Sequence, residues 1–102
     1  MSNYVLSVDA DLDLDDIWDY IATDSFDAAD RWIGKLFDAF DALGRFPGMG
    51  HKRDDLTDHP ILFWPVGQYI ILYRTSPDKL VEIVAVTQGA RDIPAFIRRR
   101  LH

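Results

Sequence analysis

The sequence predicts an α+β fold with the element order β-α-α-β-β-β-α, in which a helical hairpin packs in two layers on a small, largely antiparallel sheet. Three observations support this prediction. Apolar residues recur at helical spacing over 14–43, β-forming residues dominate short runs over 61–87, and a segment with an Asp cap follows them. A chain of 102 residues, 48% of them hydrophobic, can bury one core, so we expect a single domain over residues 1–102.

The first half of the chain predicts one strand and two helices. Residues 4–8 are rich in β-formers and predict the first strand. Apolar residues then recur every three or four positions over 14–21 and again over 29–43, which predicts two helices that each bury one face. Polar residues at 23–25 separate these helices, and each of them can cap the second helix. So short a break predicts an antiparallel hairpin.

The second half predicts a long loop, three strands and a final helix. The loop covers residues 44–60, which is longer than most connections in a compact domain. Short turns join the strands and favour antiparallel neighbours. The third strand is almost wholly apolar, as is typical of a central strand with both faces covered. Asp92 can cap the last helix. The predicted strands are 61–65, 69–74 and 80–87, and the predicted last helix is 93–101.

Charge is divided unevenly along the chain. Residues 1–43 contain eleven aspartates and two basic residues, a balance of −9, whereas residues 44–102 contain six acids and nine bases, a balance of +3. The acidic half repels phosphate backbones, so we do not expect direct binding to nucleic acid over most of the surface. An acidic partner is expected to use the C-terminal half.

The composition argues against several classes of protein. The absence of cysteine rules out disulfides, thiolate zinc sites and a cysteine nucleophile. The three histidines lack the spacing of metal ligands, and no phosphate-binding or serine-hydrolase motif is present, so we expect no metal, cofactor or catalytic set. No apolar run approaches the ~18 residues of a membrane span, and residues 1–5 do not resemble a signal peptide. We therefore expect a cytoplasmic protein without a membrane partner.

Five stretches, in order over nearly the whole chain, carry a resemblance to a known family. They are Asp13–Ala22, Leu43–Gly50, Arg53–Leu56, Pro65–Arg74 and Gly89–Ile93. Together they resemble the ParE branch of the RelE/ParE toxin superfamily. The resemblance implies the fold given above and the toxin of a type II toxin–antitoxin or plasmid-stabilisation module. It also implies a cognate ParD-like antitoxin in a hetero-oligomer, and inhibition of DNA gyrase by binding.

Two alternatives to gyrase inhibition stay open. The RelE branch cleaves messenger RNA on the ribosome. Members of the superfamily often carry a basic residue and a histidine in the last strand and its exit. This chain has Ala85 and Gln88 there, while His51 and His59 lie in the long loop. RNA cleavage requires a positioned base, so a binding protein is favoured over an enzyme. The second alternative is a module that binds an antitoxin without toxicity.

The candidate partner-binding residues are arginines and one tryptophan. Arginine offers a planar fork that fits a carboxylate, although Arg74 can also pair with Asp54 or Asp55, and Arg91 with Asp92. Trp64 precedes a proline near a strand end. It is expected either in the core or as an exposed anchor residue of the interface. Trp18 and Trp32, on apolar helix faces, are expected in the core. The predicted interface comprises Arg53, Trp64, Arg74, Arg91, Arg98, Arg99 and Arg100.

Overall fold

A four-stranded sheet in the order β1-β4-β3-β2 forms the centre of the molecule. The computed structural model describes residues 3–78 and 80–101. β1 runs parallel to β4, and the other neighbouring strands are antiparallel. The predicted fold class is therefore confirmed, with the apolar strand β4 in the interior of the sheet. The strands are β1 (Tyr4–Leu6), β2 (Leu62–Val66), β3 (Tyr69–Thr75) and β4 (Val81–Gln88).

Within the described residues, three α-helices complete the fold, and each begins at a side-chain cap. They are α1 (Val8–Ala22), α2 (Phe26–Arg45) and α3 (Ile93–Arg100). Ser7, Ser25 and Asp92 each accept a hydrogen bond from the backbone N–H three residues later, which satisfies one free donor of the first turn. The prediction that the first strand reaches residue 8 is wrong, because the Ser7 cap ends it and starts α1. No helix within the described residues is long and apolar enough to cross a membrane.

The two faces of the sheet are covered by different helices. The α1–α2 hairpin buries Leu14, Leu36 and Phe40 against one face, and Phe40 is fully buried, as its spacing predicts. On the opposite face, α3 packs Phe96 and Ile97 against the sheet. β4 is therefore covered on both faces, which accounts for its nearly continuous apolar sequence.

Trp18 is not a core residue, contrary to the prediction. It is half-buried on the flank of α1, where its ring stacks on Phe26 at 5.6 Å and its indole N–H donates to Asp30 at 3.0 Å. An indole buried deeper would need another partner for this N–H. Trp32 does pack against the core, with its ring edge-on to Tyr69 at 5.4 Å.

The segment between α2 and β2 is more ordered than the predicted long loop. A 3₁₀-helix covers Pro47–Met49, and His51 and Phe63 exchange two backbone hydrogen bonds at 2.9 Å. The buried hydroxyl of Tyr73 donates to the Pro47 carbonyl at 2.6 Å and accepts from the Gly50 N–H at 2.8 Å. A Cβ at position 50 would collide with that hydroxyl, so the close approach requires glycine.

Candidate partner-binding site

Side chains form hydrogen bonds with the backbone of β4 where that strand extends past the end of β1. β1 ends at Leu6, opposite Ile83, whereas β4 continues to Gln88. The Ser7 hydroxyl donates to the Val84 carbonyl at 3.0 Å, and the Asp13 carboxylate accepts from the Val86 N–H at 3.0 Å. The chain that leaves β1 thus supplies hydrogen bonds that a neighbouring strand would otherwise make.

Arg100 reaches this edge from the opposite face of the sheet. Its two terminal nitrogens each donate to one carboxylate oxygen of Asp13 at 3.0 Å, and its Nε lies 3.8 Å from Asp9. The side chains of Arg100 and Asp13 are only 21% and 13% exposed. The hydrogen bonds that Arg100 donates to Asp13 raise the pKa of Arg100. This bidentate pair ties α3 to α1, so Arg100 does not point outward with the rest of the arginine run.

Two further candidate arginines are paired within the chain. Arg53 binds both carboxylate oxygens of Asp55, at 2.9 and 2.8 Å, which raises the pKa of Arg53 and lowers that of Asp55. Arg74 donates to Glu82 at 2.7 Å. Glu82 lies directly opposite Arg74 in the register of β3 and β4, which is why Arg74 pairs there and not with an aspartate of the loop.

Arg91, Arg98 and Arg99 remain without an ion pair within residues 3–78 and 80–101. Arg98 and Arg99 lie exposed on α3. The Arg91 guanidinium lies over the Phe96 ring at 5.1 Å, while the carboxylate of Asp92 accepts from the Ala95 N–H. A local pair between residues 91 and 92 is therefore not formed, because Asp92 caps α3.

The seven candidate residues do not form one continuous surface. Arg74 lies opposite Glu82 at the start of β4, whereas Arg91 follows the end of β4. The length of that strand separates the two arginines by roughly 20 Å. Trp64 is half-buried towards the hairpin side, with its ring 6.2 Å from that of His51, so it is not a fully exposed anchor. The structure brings together only the arginines on and next to α3.

A cavity of about 330 Å³ lies between α1, the end of β4 and α3. Tyr69, Gln88 and Arg91 line it together with Asp13 and Asp16 of α1. Sequence reasoning missed Asp13 and Tyr69 as members of a site. The only available signal for Asp13 was its position beside the apolar face of α1. Within the part of the chain that the structure describes, no three acidic or histidine side chains gather closely enough to hold a metal ion.

Comparison with known proteins now defines the family. The sequence model described as "ParE toxin of type II toxin-antitoxin system, parDE" matches residues 4–93, which is most of the chain. This chain belongs to the ParE toxin family. The Sinorhizobium fredii protein named "Putative toxin Y4kP" is 35% identical over 84 residues, which are 82% of this chain and 84% of that protein. The predicted family is therefore confirmed.

A solved structure is similar to this ParE-family chain along most of its length. It is described as the "Chromosomal ParDE TA system from P. aeruginosa" and has a TM-score of 0.70. The similarity covers 86% of this chain and 96% of that one, at 17% sequence identity. At this identity the comparison shows a shared fold, which agrees with the mixed four-stranded sheet and three helices of the present toxin.

Proposed function

We propose that this ParE-type toxin inhibits DNA gyrase by binding it in the cytoplasm, and that a ParD-like antitoxin neutralises it as part of a toxin–antitoxin or plasmid-stabilisation module. The family supports the role of toxin. The observation that carries the binding mechanism is the group of arginines around α3, Arg91, Arg98 and Arg99, which form no ion pair within the described residues. Unpaired guanidinium groups are suited to carboxylates on a protein partner.

The surroundings of β4 favour binding over RNA cleavage. Ala85, on the strand where members of the superfamily often carry a basic residue, is fully buried in the cluster that α3 covers. Gln88 carries an amide, which does not titrate, and His59 is exposed in the loop. A general base must be held within hydrogen-bonding reach of its proton, and positions 84–88 of the last strand supply no such group. Glu82, the carboxylate at the other end of that strand, is paired with Arg74.

The proposal is tested with the purified 102-residue chain, free of antitoxin, in a gyrase supercoiling assay. We expect inhibition that is reversed when the cognate antitoxin is added. A parallel assay on translating ribosomes, analysed by primer extension, is expected to show no cleavage. Codon-registered cleavage would instead identify a RelE-type ribonuclease, and inactivity in both assays with retained antitoxin binding would identify a non-toxic module.

A double variant tests the arginines directly. Arg98→Ala with Arg99→Ala should slow association with gyrase and with the antitoxin, more strongly at low salt, because screening weakens steering by exposed charges. Arg100 is left in place, since its removal would also break the contact with Asp13. The matched control is Arg31→Ala with Arg45→Ala, which removes the same charge from exposed positions elsewhere. Equal association rates for both double variants would contradict the proposed surface.

A further inference from the structure

The cavity between α1, β4 and α3 is lined by a residue whose buried polar group forms no hydrogen bond among the described residues. Tyr69 lines this cavity and is only 1% exposed, and its hydroxyl has no hydrogen-bond partner among the described residues. Trp32 packs edge-on against its ring and restricts its movement. A buried hydroxyl without a partner destabilises the fold. A ligand that forms a hydrogen bond with this group would recover that loss.

The charges around the cavity identify the kind of group that fits. Asp13 and Arg100 neutralise each other through their bidentate pair. Arg91 is a cation that forms no ion pair among the described residues, and the amide of Gln88 and the buried hydroxyl of Tyr69 add further donors. Asp16 supplies the one carboxylate in the lining that has no hydrogen-bond or ion-pair partner within residues 3–78 and 80–101. Donors therefore predominate, which favours a ligand rich in acceptors.

A second cavity extends the first one along the surface. It has a volume of about 470 Å³ and shares Tyr20, Tyr69 and Gln88 with the first cavity. It continues past Gly67 of the β2–β3 turn to Ala90. Tyr20 is 65% exposed and lines both cavities. The two connected cavities, of about 330 and 470 Å³, form a pocket that opens into a trough, and together they offer room for a short segment of polypeptide.

We propose that this groove binds an extended, acidic segment of a partner protein, with one Asp or Glu carboxylate placed in the pocket against Arg91 and Tyr69. Arg91 and the Tyr69 hydroxyl donate to the carboxylate, and the backbone of the segment crosses Tyr20 into the trough. A backbone N–H of the segment can donate to Asp16 at the rim. The proposal rests on the proposed function only in treating the ligand as a polypeptide, and it holds whether or not the target is gyrase.

The test uses a random hexapeptide library selected against the 102-residue chain, so neither gyrase nor the antitoxin takes part. We expect enriched peptides to share an acidic residue at one position. The affinity of individual peptides is then measured by fluorescence polarisation, together with that of counterparts in which Glu is replaced by Gln. We expect this replacement and the protein variant Arg91→Gln each to weaken binding tenfold or more.

Two variants separate a ligand site from general electrostatics and from structural effects. Arg45→Gln removes the same charge from an exposed position that lines neither cavity, and it should change the affinity less than twofold. Tyr69→Phe should weaken binding at least threefold while its melting temperature stays equal to or above that of the wild type, which a purely structural role would not produce. Selection without peptide enrichment, enrichment without an acidic residue, or equal losses for Arg91→Gln and Arg45→Gln would each overturn the proposal.

Discussion

Tyr69 and Tyr73 allow the two ends of strand β3 to be compared directly. The two residues lie on the same face of the sheet, and they are 1% and 0% exposed. The hydroxyl of Tyr73 makes two hydrogen bonds, to Pro47 and Gly50. The hydroxyl of Tyr69 makes none within the described part of the chain. The residue type and the depth of burial are the same, so the difference lies in what the chain places around each hydroxyl.

At one end of the sheet the chain supplies hydrogen-bond partners for the buried tyrosine hydroxyl, and at the other end it supplies none within the described residues. At the Tyr73 end, the loop after α2 closes over the phenol, and burial raises the pKa of Tyr73. At the Tyr69 end, the phenol borders a cavity whose rim carries Arg91 and Asp16. We infer that the Tyr73 end serves stability and that the Tyr69 end is available for recognition.

The largest loss of stability is expected at the Tyr73 end of β3. Tyr73→Phe removes the donor to Pro47 and the acceptor for the Gly50 N–H, and leaves both backbone groups partly buried without a partner. We expect the free energy of unfolding to fall by about 1–3 kcal/mol. Urea denaturation measures this change, and Tyr20→Phe, at an exposed phenol, serves as the control. A loss no greater than that of the control would mean that the closed loop does not depend on this hydroxyl.

A smaller loss of stability is expected at Asp13, which accepts hydrogen bonds from Val86 and Arg100 near the Tyr69 end of the sheet. Asp13→Asn keeps an acceptor for the Val86 N–H but removes the charge that pairs with Arg100. We expect a loss of about 1–2 kcal/mol, less than for a fully buried pair because both side chains retain some contact with water.

Asp16→Asn is the matched control for this variant, since Asp16 lies one turn away on the same helix and makes no ion pair within the described residues. Hydrogen exchange measures the effect locally. Faster exchange of the α3 amides in Asp13→Asn, with no change in Asp16→Asn, would show that Arg100 holds α3 in place. Equal exchange in the two variants would contradict that role.

Local sequence patterns were sufficient to predict the fold. Helical periodicity identified the hairpin, and the apolar run at 80–87 identified the central strand. Asp92 identified the last helix through its capping chemistry. Each of these signals comes from residues a few positions apart, and the structure bears them out with shifts of a few residues at the ends.

The candidate site was less predictable because its contacts join distant parts of the chain. Arg100 and Asp13 are 87 residues apart, and Val86 and Asp13 are 73 apart. In the sequence, Arg100 is one of three consecutive arginines, and nothing local distinguishes it from Arg98 or Arg99. Likewise, no nearby residue indicates that the hydroxyl of Tyr69 lacks a partner while that of Tyr73 has two.

The smallest expected effect on stability is the sharpest test of the comparison. Tyr69→Phe makes the same chemical change as Tyr73→Phe, on the same strand and face, but it removes a hydroxyl that has no partner among the described residues. Because no hydrogen bond is lost and a buried polar atom is removed, the free energy of unfolding should stay within about 0.5 kcal/mol of the wild type or rise by up to about 1 kcal/mol. Urea denaturation of both variants under the same conditions gives the difference directly. If Tyr69→Phe destabilised the protein as much as Tyr73→Phe does, the Tyr69 hydroxyl would have to be satisfied in solution, and the Tyr69 end would be as complete as the other.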